Sequence, residues 1–250
     1  MISVTIIVKD GEKYLEECLE SLAPFDEVLL YDNGSTDRTL EIAQSFPNVK
    51  IVNGRFIGFG PTKNLAAREA RHDWILSIDS DEVMTPELTW SILNENLQPD
   101  HVYRFVRQSY YNKKWIRGCG WYPDRVFRLY NRQRTQFNDN MVHESVEVKG
   151  LTAADLEGAL KHYSYDDAAS LVQKLQLYST LFAEQNKGKI SSSPWKALRH
   201  GCGAFVKGYF IRKGFLDGYE GFLIALCQGL ASYFKYLKLY EANRNEFFRG

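Results

Sequence analysis

Alternation between two hydrophobic periods across residues 1–80 constrains the fold more than any other feature. Apolar, largely β-branched runs at 4–8, 28–31, 49–52 and 74–78 have the length of buried strands, whereas 11–23, 39–46 and 62–70 repeat their apolar residues at helical spacing. Strand and helix in rotation predict an α/β domain built on a mostly parallel sheet with helices on both faces. Ligands of such sheets bind beyond the carboxyl ends of the strands. Asp10, Asp32 and Asp79 stand at the ends of the first, second and fourth runs, so three strands are expected to aim carboxylates into one crevice.

The fourth run ends in the densest charge. Asp79-Ser80-Asp81 puts carboxylates at i and i+2, where they can reach a ribose and a metal, and Glu82 enlarges the negative field. Departure of a nucleoside diphosphate needs its charge neutralised, which a hard divalent cation held by one or two carboxylates achieves. An acidic turn ahead of a helix at Pro86 accounts for the same residues without any ligand. Asp32-Asn33-Gly34-Ser35-Thr36-Asp37 is equally double-sided. Its Asn-Gly turn and following hydroxyl and carboxylate groups suit helix capping, while Asp32 at a strand end suits a hydrogen bond from a base or ribose. No GxGxxG occurs, so a dinucleotide fold lacks its phosphate turn.

Taken in order, Val4-Thr5-Ile6-Ile7-Val8, Leu30-Tyr31-Asp32-Asn33-Gly34-Ser35-Thr36-Asp37, Lys63-Asn64 and Ile78-Asp79-Ser80-Asp81-Glu82 resemble the family-2 glycosyltransferases, whose fold is the Rossmann-like GT-A. The resemblance implies a UDP-sugar donor, with Val8 and Asp10 lining the nucleoside pocket, Asp32 contacting the base and Asp79 facing the ribose. Asp81, beside Asp79, would bind Mg²⁺ or Mn²⁺. Lys63 stands where the family usually has an arginine that contacts the donor. The later half is similar to a narrower branch, the lipopolysaccharide-core glucosyltransferases that extend inner-core heptose. Its marks are Trp121-Tyr122-Pro123-Asp124-Arg125, Arg128-Leu129, Val142-His143-Glu144, Leu160-Lys161-His162-Tyr163 and Lys213-Gly214-Phe215-Leu216-Asp217-Gly218. By this resemblance His162 completes the metal site, imidazole being an acceptable Mn²⁺ ligand.

An inverting displacement needs one carboxylate to take the acceptor's proton. Glu144 resembles the family's acidic base, and Asp124 is the substitute. Pairing with Arg125 or Arg128 is the structural account of Glu144. Those two arginines suit donor or acceptor phosphate through their planar forks, or tie the surrounding aromatic loop to the domain. His72, His101 and His200 have no motif around them.

Further strands are expected at 102–110, 126–130 and 142–148, and helices at 86–96 and 168–185. Between them, Tyr110-Tyr111-Asn112-Lys113-Lys114-Trp115 is a plausible acceptor region. Ser191-Ser192-Ser193-Pro194 reads as a linker, dividing the chain into a transferase domain, 1–186, and a C-terminal helical extension, 187–250. The net charge of zero conceals a contrast: 1–186 carry 20 Lys/Arg against 27 Asp/Glu, and 187–250 carry 11 against 4. The basic, aromatic extension favours an anionic membrane surface. A homo-oligomer seam through Leu223, Leu226, Leu230 and Phe234 explains its apolar residues equally well, and no nucleic-acid partner is expected for lack of a reading motif. The uncharged stretch 221–234 is short of the roughly 20 residues of a spanning helix. Cys18, Cys119, Cys202 and Cys227 show no CxxC spacing and read as reduced thiols. With no leader-like start, the expected location is cytoplasmic, peripheral on the inner face of the bacterial cytoplasmic membrane.

Together these readings predict an inverting transfer of a hexose, glucose from UDP-glucose, to a lipid-linked saccharide, with heptose of the lipopolysaccharide inner core as acceptor. The rival enzyme is a nucleotidyltransferase acting on a sugar phosphate, which would show a Gly-rich signature that Gly11-Glu12-Lys13 does not supply. A non-catalytic lipid-binding domain on the same fold is distinguished by activity.

Overall fold

The computed structural model describes residues 1–140 and 144–247, with side chains through 244. Strand β1 (Ile2–Val8) is buried along its whole length, the state of a strand covered on both faces. β2 (Glu27–Asp32) and β4 (Trp74–Asp79) flank it in parallel, and β3 (Val49–Asn53) adds parallel to β2. The register sets Val8 beside Asp32 and Ile7 beside Asp79, so three neighbouring strands finish nearly level. The connecting helices are α1 (Glu12–Ser21), α2 (Thr39–Gln44) and α3 (Phe59–Glu69).

Alternation along β1 assigns the layers. Val4, Ile6 and Val8 join Leu15, Cys18 and Leu19 of α1 on one face. Ile7 joins Leu29 and Ala66 and Ala67 of α3 on the other. Each fully buried Leu or Ile contributes about 1.5–3 kcal/mol, so a register slip that exposed either set would be strongly disfavoured. α1 starts immediately after Gly11, where a Cβ would lie 2.7 Å from Val8 Cγ2 and 3.2 Å from Ser80 Oγ. The missing side chain lets the helix begin directly against the acidic turn.

Beyond β4 the sheet becomes antiparallel. β6 (His101–Tyr111) and β8 (Asp124–Asn131) pair with a register shift at Tyr103/Arg104, and β8 pairs with β4. β5 (Glu82–Met84) pairs with β9 (Thr152–Tyr165), giving the order β3-β2-β1-β4-β8-β6-β9-β5. Helix α4 (Pro86–Asn94) begins with Thr85 accepting from Leu88 N and Pro86 in the first turn.

The strand expected at 142–148 is not formed in its described part. Residues 141–143, including His143, lie outside the described residues, and 144–148 contribute one isolated bridge, Val146 to Phe137. Conversely, β9 had no sequence signal: Ala153, Ala154, Gly158 and Lys161 are poor strand formers, and pairing rather than propensity holds it extended.

Packing divides the chain into two compact units, Met1–Arg107 with Asp124–His162, and Gln108–Pro123 with the chain from Tyr163 onward. A boundary after residue 186 therefore falls inside the second unit. There β7 (Lys114–Trp115) pairs with the end of β6, and α5 (Ala168–Asn186) and α6 (Pro194–Val206) pack against α7 (Gly218–Phe247). The Ser191–193 stretch is a close connection: Ser193 caps α6 by accepting from Lys196 N, and Ser192 Oγ donates to Tyr236 O at 2.6 Å. No helix among the described residues is long and apolar enough to cross a membrane.

Candidate active site

Two acidic strand ends form the site, and they are satisfied in different ways. Asp32 closes β2, and its own turn occupies its carboxylate. Gly34 N donates to Oδ2 at 3.0 Å, while Ser35 N and Ser35 Oγ donate to Oδ1 at 3.1 and 2.5 Å. Asp10 adopts the left-handed region, φ 52°, which aspartate tolerates better than most residues. It accepts from Thr36 N at 2.7 Å while its own N donates to Ser35 Oγ at 3.0 Å. Val8 O accepts from Asn33 N at 2.8 Å. The ends of β1 and β2 are thus laced together, and Val8, Asp10 and Asp32 share one end of the parallel strands.

Asp79 depends on partners far away in the chain. Lys63 Nζ on α3 lies 2.8 Å from Asp79 Oδ1 and 2.8 Å from Glu144 Oε1. Arg128 on β8 lies 2.7 Å from Asp79 Oδ2 and 3.0 Å from Glu82 Oε1. Arg107 on β6 continues the row, 3.5 Å from Glu82 and 2.7 Å from Asp124. Glu82 is fully buried, and its Oε2 accepts Asp79 N at 2.9 Å. Acid and base therefore alternate from Glu144 through Lys63, Asp79, Arg128, Glu82 and Arg107 to Asp124.

Burial alone pushes the Asp79 carboxyl up, but the Arg128 and Lys63 charges prevail and hold it well below the usual range. For Arg128 burial acts downward, and Asp79 with Glu82 outweighs it, so its guanidinium is charged more firmly than in water. Cys18 lies beneath the cluster with Sγ 3.7 Å from Asp79 O. Burial, then Glu82, Asp81 and Asp79, push its thiol well up, so it stays protonated.

Asp81 stands apart from this row, partly exposed, with Oδ2 3.4 Å from His162 Nε2. The pairing of Glu82 with His162 between β5 and β9 brings the imidazole there.

Glu144 is placed by α3 as well. Next to Lys63, the Asn64 amide grips the Phe137 backbone, donating to Phe137 O and accepting from Phe137 N at 2.9 Å each. Asn138 N donates to Ser145 O at 3.0 Å and Glu147 N to Gln136 O at 2.9 Å, closing the segment that carries Glu144. At Gly60 a Cβ would sit 1.9 Å from Asn138 O, so only glycine permits this approach. Consecutive residues of one helix thus hold the carboxylate and the backbone that presents it.

Residues 3–146 match the model of glycosyl transferase family 2. The chain belongs to glycosyltransferase family 2. A glycosyltransferase of Rickettsia typhi is 30% identical over 96% of this chain and 87% of its own length. The lipopolysaccharide core biosynthesis glycosyltransferase LpsC of Rhizobium meliloti is 26% identical over 96% and 92%. Among solved structures, S. aureus TarS 1–349 in complex with UDP is similar over 100% of this chain and 92% of that chain, with 14% identity and TM-score 0.46. Membership in family 2, with a parallel βαβ half that turns antiparallel after β4, agrees with the GT-A fold.

The family-2 match includes Val8, Asp10, Asp32, Lys63, Asp79, Asp81, Asp124, Arg125, Arg128 and Glu144, and stops before His162. Most of these converge; Arg125 does not. It pairs with Asp155 at 3.1 Å, on the face of β8 opposite Arg128, because strand side chains alternate. Arg128 and Lys63 have their charges engaged by carboxylates rather than open to a phosphate. Sequence reasoning missed Arg107 entirely, since nothing marks one arginine on an alternating strand. Glu82 was read as added negative field, not as the buried acceptor that fixes the turn.

Proposed function

We propose that this family-2 transferase is an inverting, metal-dependent hexosyltransferase that moves glucose from UDP-glucose to a lipid-linked saccharide, heptose of the lipopolysaccharide inner core, at the inner face of the cytoplasmic membrane. The observation that carries this reading is the Lys63 bridge, which joins Glu144 to the carboxyl end of β4. Family membership supports a nucleotide-sugar donor and a saccharide acceptor. The name of LpsC supports the lipopolysaccharide core as acceptor class.

In this mechanism Glu144 takes the proton of the acceptor hydroxyl as that oxygen bonds to the anomeric carbon and the bond to the diphosphate breaks. Attack opposite the leaving group inverts the configuration. Asp124 is the weaker base candidate, since Arg107 holds it through both Nε and NH2, at 2.9 and 2.7 Å. Val8, Asp10 and Asp32 line the nucleoside side, and Asp79, immobilised by two cations, faces the ribose.

Asp81 and His162 offer one oxygen and one nitrogen donor. Among the described residues no group of three or more His, Cys, Asp or Glu is arranged to hold a metal ion. Such a sparse set suits Mg²⁺ or Mn²⁺, which keep waters and take substrate oxygens. Asp81 and His162 would hold the ion, with Asp79 behind them; when bound, it supplies the positive charge that stabilises the departing UDP.

Glu144→Gln is expected to keep its affinity for UDP by calorimetry while transfer from UDP-glucose to a heptose-terminated lipopolysaccharide acceptor falls roughly 10²–10⁴-fold. Unchanged turnover would remove Glu144 as the base.

A further inference from the structure

The turn between α6 and α7 combines a braced backbone with unusually exposed apolar side chains. Its π-helical part spans Lys207–Ile211 and its 3-10 part Gly214–Asp217. Asp217 is buried, and its carboxylate accepts from Arg117 N at 3.2 Å and Gly118 N at 2.5 Å. Cys119 N donates to Arg212 O at 2.9 Å. The turn is therefore anchored at both ends to 117–119 within the second unit. Outward from it stand Phe210, Ile211, Leu216 and Tyr219, which are 57, 71, 69 and 68% exposed, with Phe215 beside them. Large apolar side chains held out in water by a braced turn mark an interaction site.

Its surroundings specify the partner. Lys207, Arg212 and Lys213 are exposed on the same turn. From Gln185 to Leu216 the sequence has seven Lys/Arg and no acid. Of the nearest acids, Asp217 is buried by the bonds above and Glu220 is paired with Lys114 at 2.7 Å. Apolar side chains rimmed by exposed cations are complementary to the acyl boundary and phosphates of an anionic bilayer. A symmetric contact between two copies through this turn would instead set the same cations against each other. The proposed oligomer seam is also partly spent, since Leu223 packs against the cluster containing Ile224 and Ala225.

We propose that residues 210–219 form a wedge that inserts into the interfacial layer of an anionic phospholipid membrane, with Lys207, Arg212 and Lys213 on the headgroups. The wedge extends the reading of a lipid-linked acceptor, but it rests on exposure and charge within its own unit and is tested without any transfer assay.

The test uses the full chain with vesicles of phosphatidylcholine alone or mixed with phosphatidylglycerol. The wild type should sediment with the mixed vesicles and not with phosphatidylcholine. The I211S/L216S variant should bind the mixed vesicles at least tenfold more weakly while keeping its helical circular dichroism and UDP affinity. The wild type already has five tryptophans, so Leu216→Trp is read as a difference from it: the added emission should shift to the blue on binding and be quenched by brominated lipid beyond the wild-type change. Unchanged partition of I211S/L216S, or added emission from Leu216→Trp that stays water-like while the protein sediments, would overturn insertion. A wild-type dimer in analytical ultracentrifugation that I211S/L216S dissolves would assign the surface to a second copy instead. Loss of transfer in an otherwise vesicle-binding protein would count against the proposed reaction alone.

Discussion

Asp32 and Asp79 occupy equivalent places, at the ends of strands flanking β1, yet their carboxylates are held by opposite strategies. Asp32 takes its hydrogen bonds from Gly34 and Ser35, within three residues. Asp79 takes its partners from α3 and β8, Lys63 and Arg128. The first carboxylate is complete once its turn forms. The second is complete only when the parallel and antiparallel halves of the sheet have met, so it reports on tertiary assembly. The difference shows how one sheet can carry a locally completed turn beside a charge network that depends on the whole unit.

The strongest way to break this contrast is Arg128→Met. Removal of the guanidinium strips one partner from Asp79 and one from the fully buried Glu82. Breaking a buried pair from one side typically costs about 3–5 kcal/mol, because a charge is left uncompensated. Urea denaturation at pH 7 should show a loss of that order. Adding Asp79→Asn to Arg128→Met should cost less than the sum of the two single losses, since the Asp79–Arg128 pair is already broken in either one; a purely additive double variant would mean the two groups are not coupled.

Acid sharpens the same comparison. The folded-state pKa of Asp79 is depressed, so its contribution to stability is full above the unfolded value of about 3.9 and is lost as pH falls from there toward the folded value. One proton limits the slope to about 1.4 kcal/mol per pH unit. Stability measured from pH 5 downward should therefore fall less steeply in Asp79→Asn than in the wild type, whereas identical slopes would show that the cations do not favour the ionised form.

The two strand ends were also unequally legible. β1, β2 and β4 announced themselves because burial on both faces makes each a short continuous apolar run, and Asp32-Asn33-Gly34-Ser35 carries its turn chemistry in adjacent residues. Lys63 could be placed on a helix, but nothing in the sequence states that it meets Glu144, 81 positions later. That meeting depends on Gly60 and Asn64 docking Phe137 and Asn138, and Asn64 looks like any helical asparagine. β9 failed for a related reason: its strand character comes from pairing with β5, and Ala153, Ala154 and Gly158 carry none of it. In the second unit, periodicity gave α5 and a helical extension, which folds as the separate helices α6 and α7. It gave no hint that the turn between α6 and α7 would present Phe210, Ile211 and Leu216 outward, because apolar residues in a helical region ordinarily read as core.

The smallest expected effect falls on Asp32 itself. In Asp32→Asn the amide oxygen can still accept from the turn's N–H groups, while the second carboxylate oxygen is replaced by a donor facing Gly34 N and Ser35 N. About one net hydrogen bond is lost, roughly 1 kcal/mol, well short of the Arg128→Met loss. Affinity for UDP supplies the sharper reading. If Asp32 serves only its turn, UDP binding by calorimetry should change no more than the small stability loss implies. If it also accepts a hydrogen bond from the base, as proposed above, the same substitution should weaken UDP binding about tenfold or more with the fold intact, because a hydrogen bond to a charged acceptor is worth about 1.5–3 kcal/mol. Asp32→Asn therefore separates the two uses of a carboxylate whose two oxygens both already accept from its own turn.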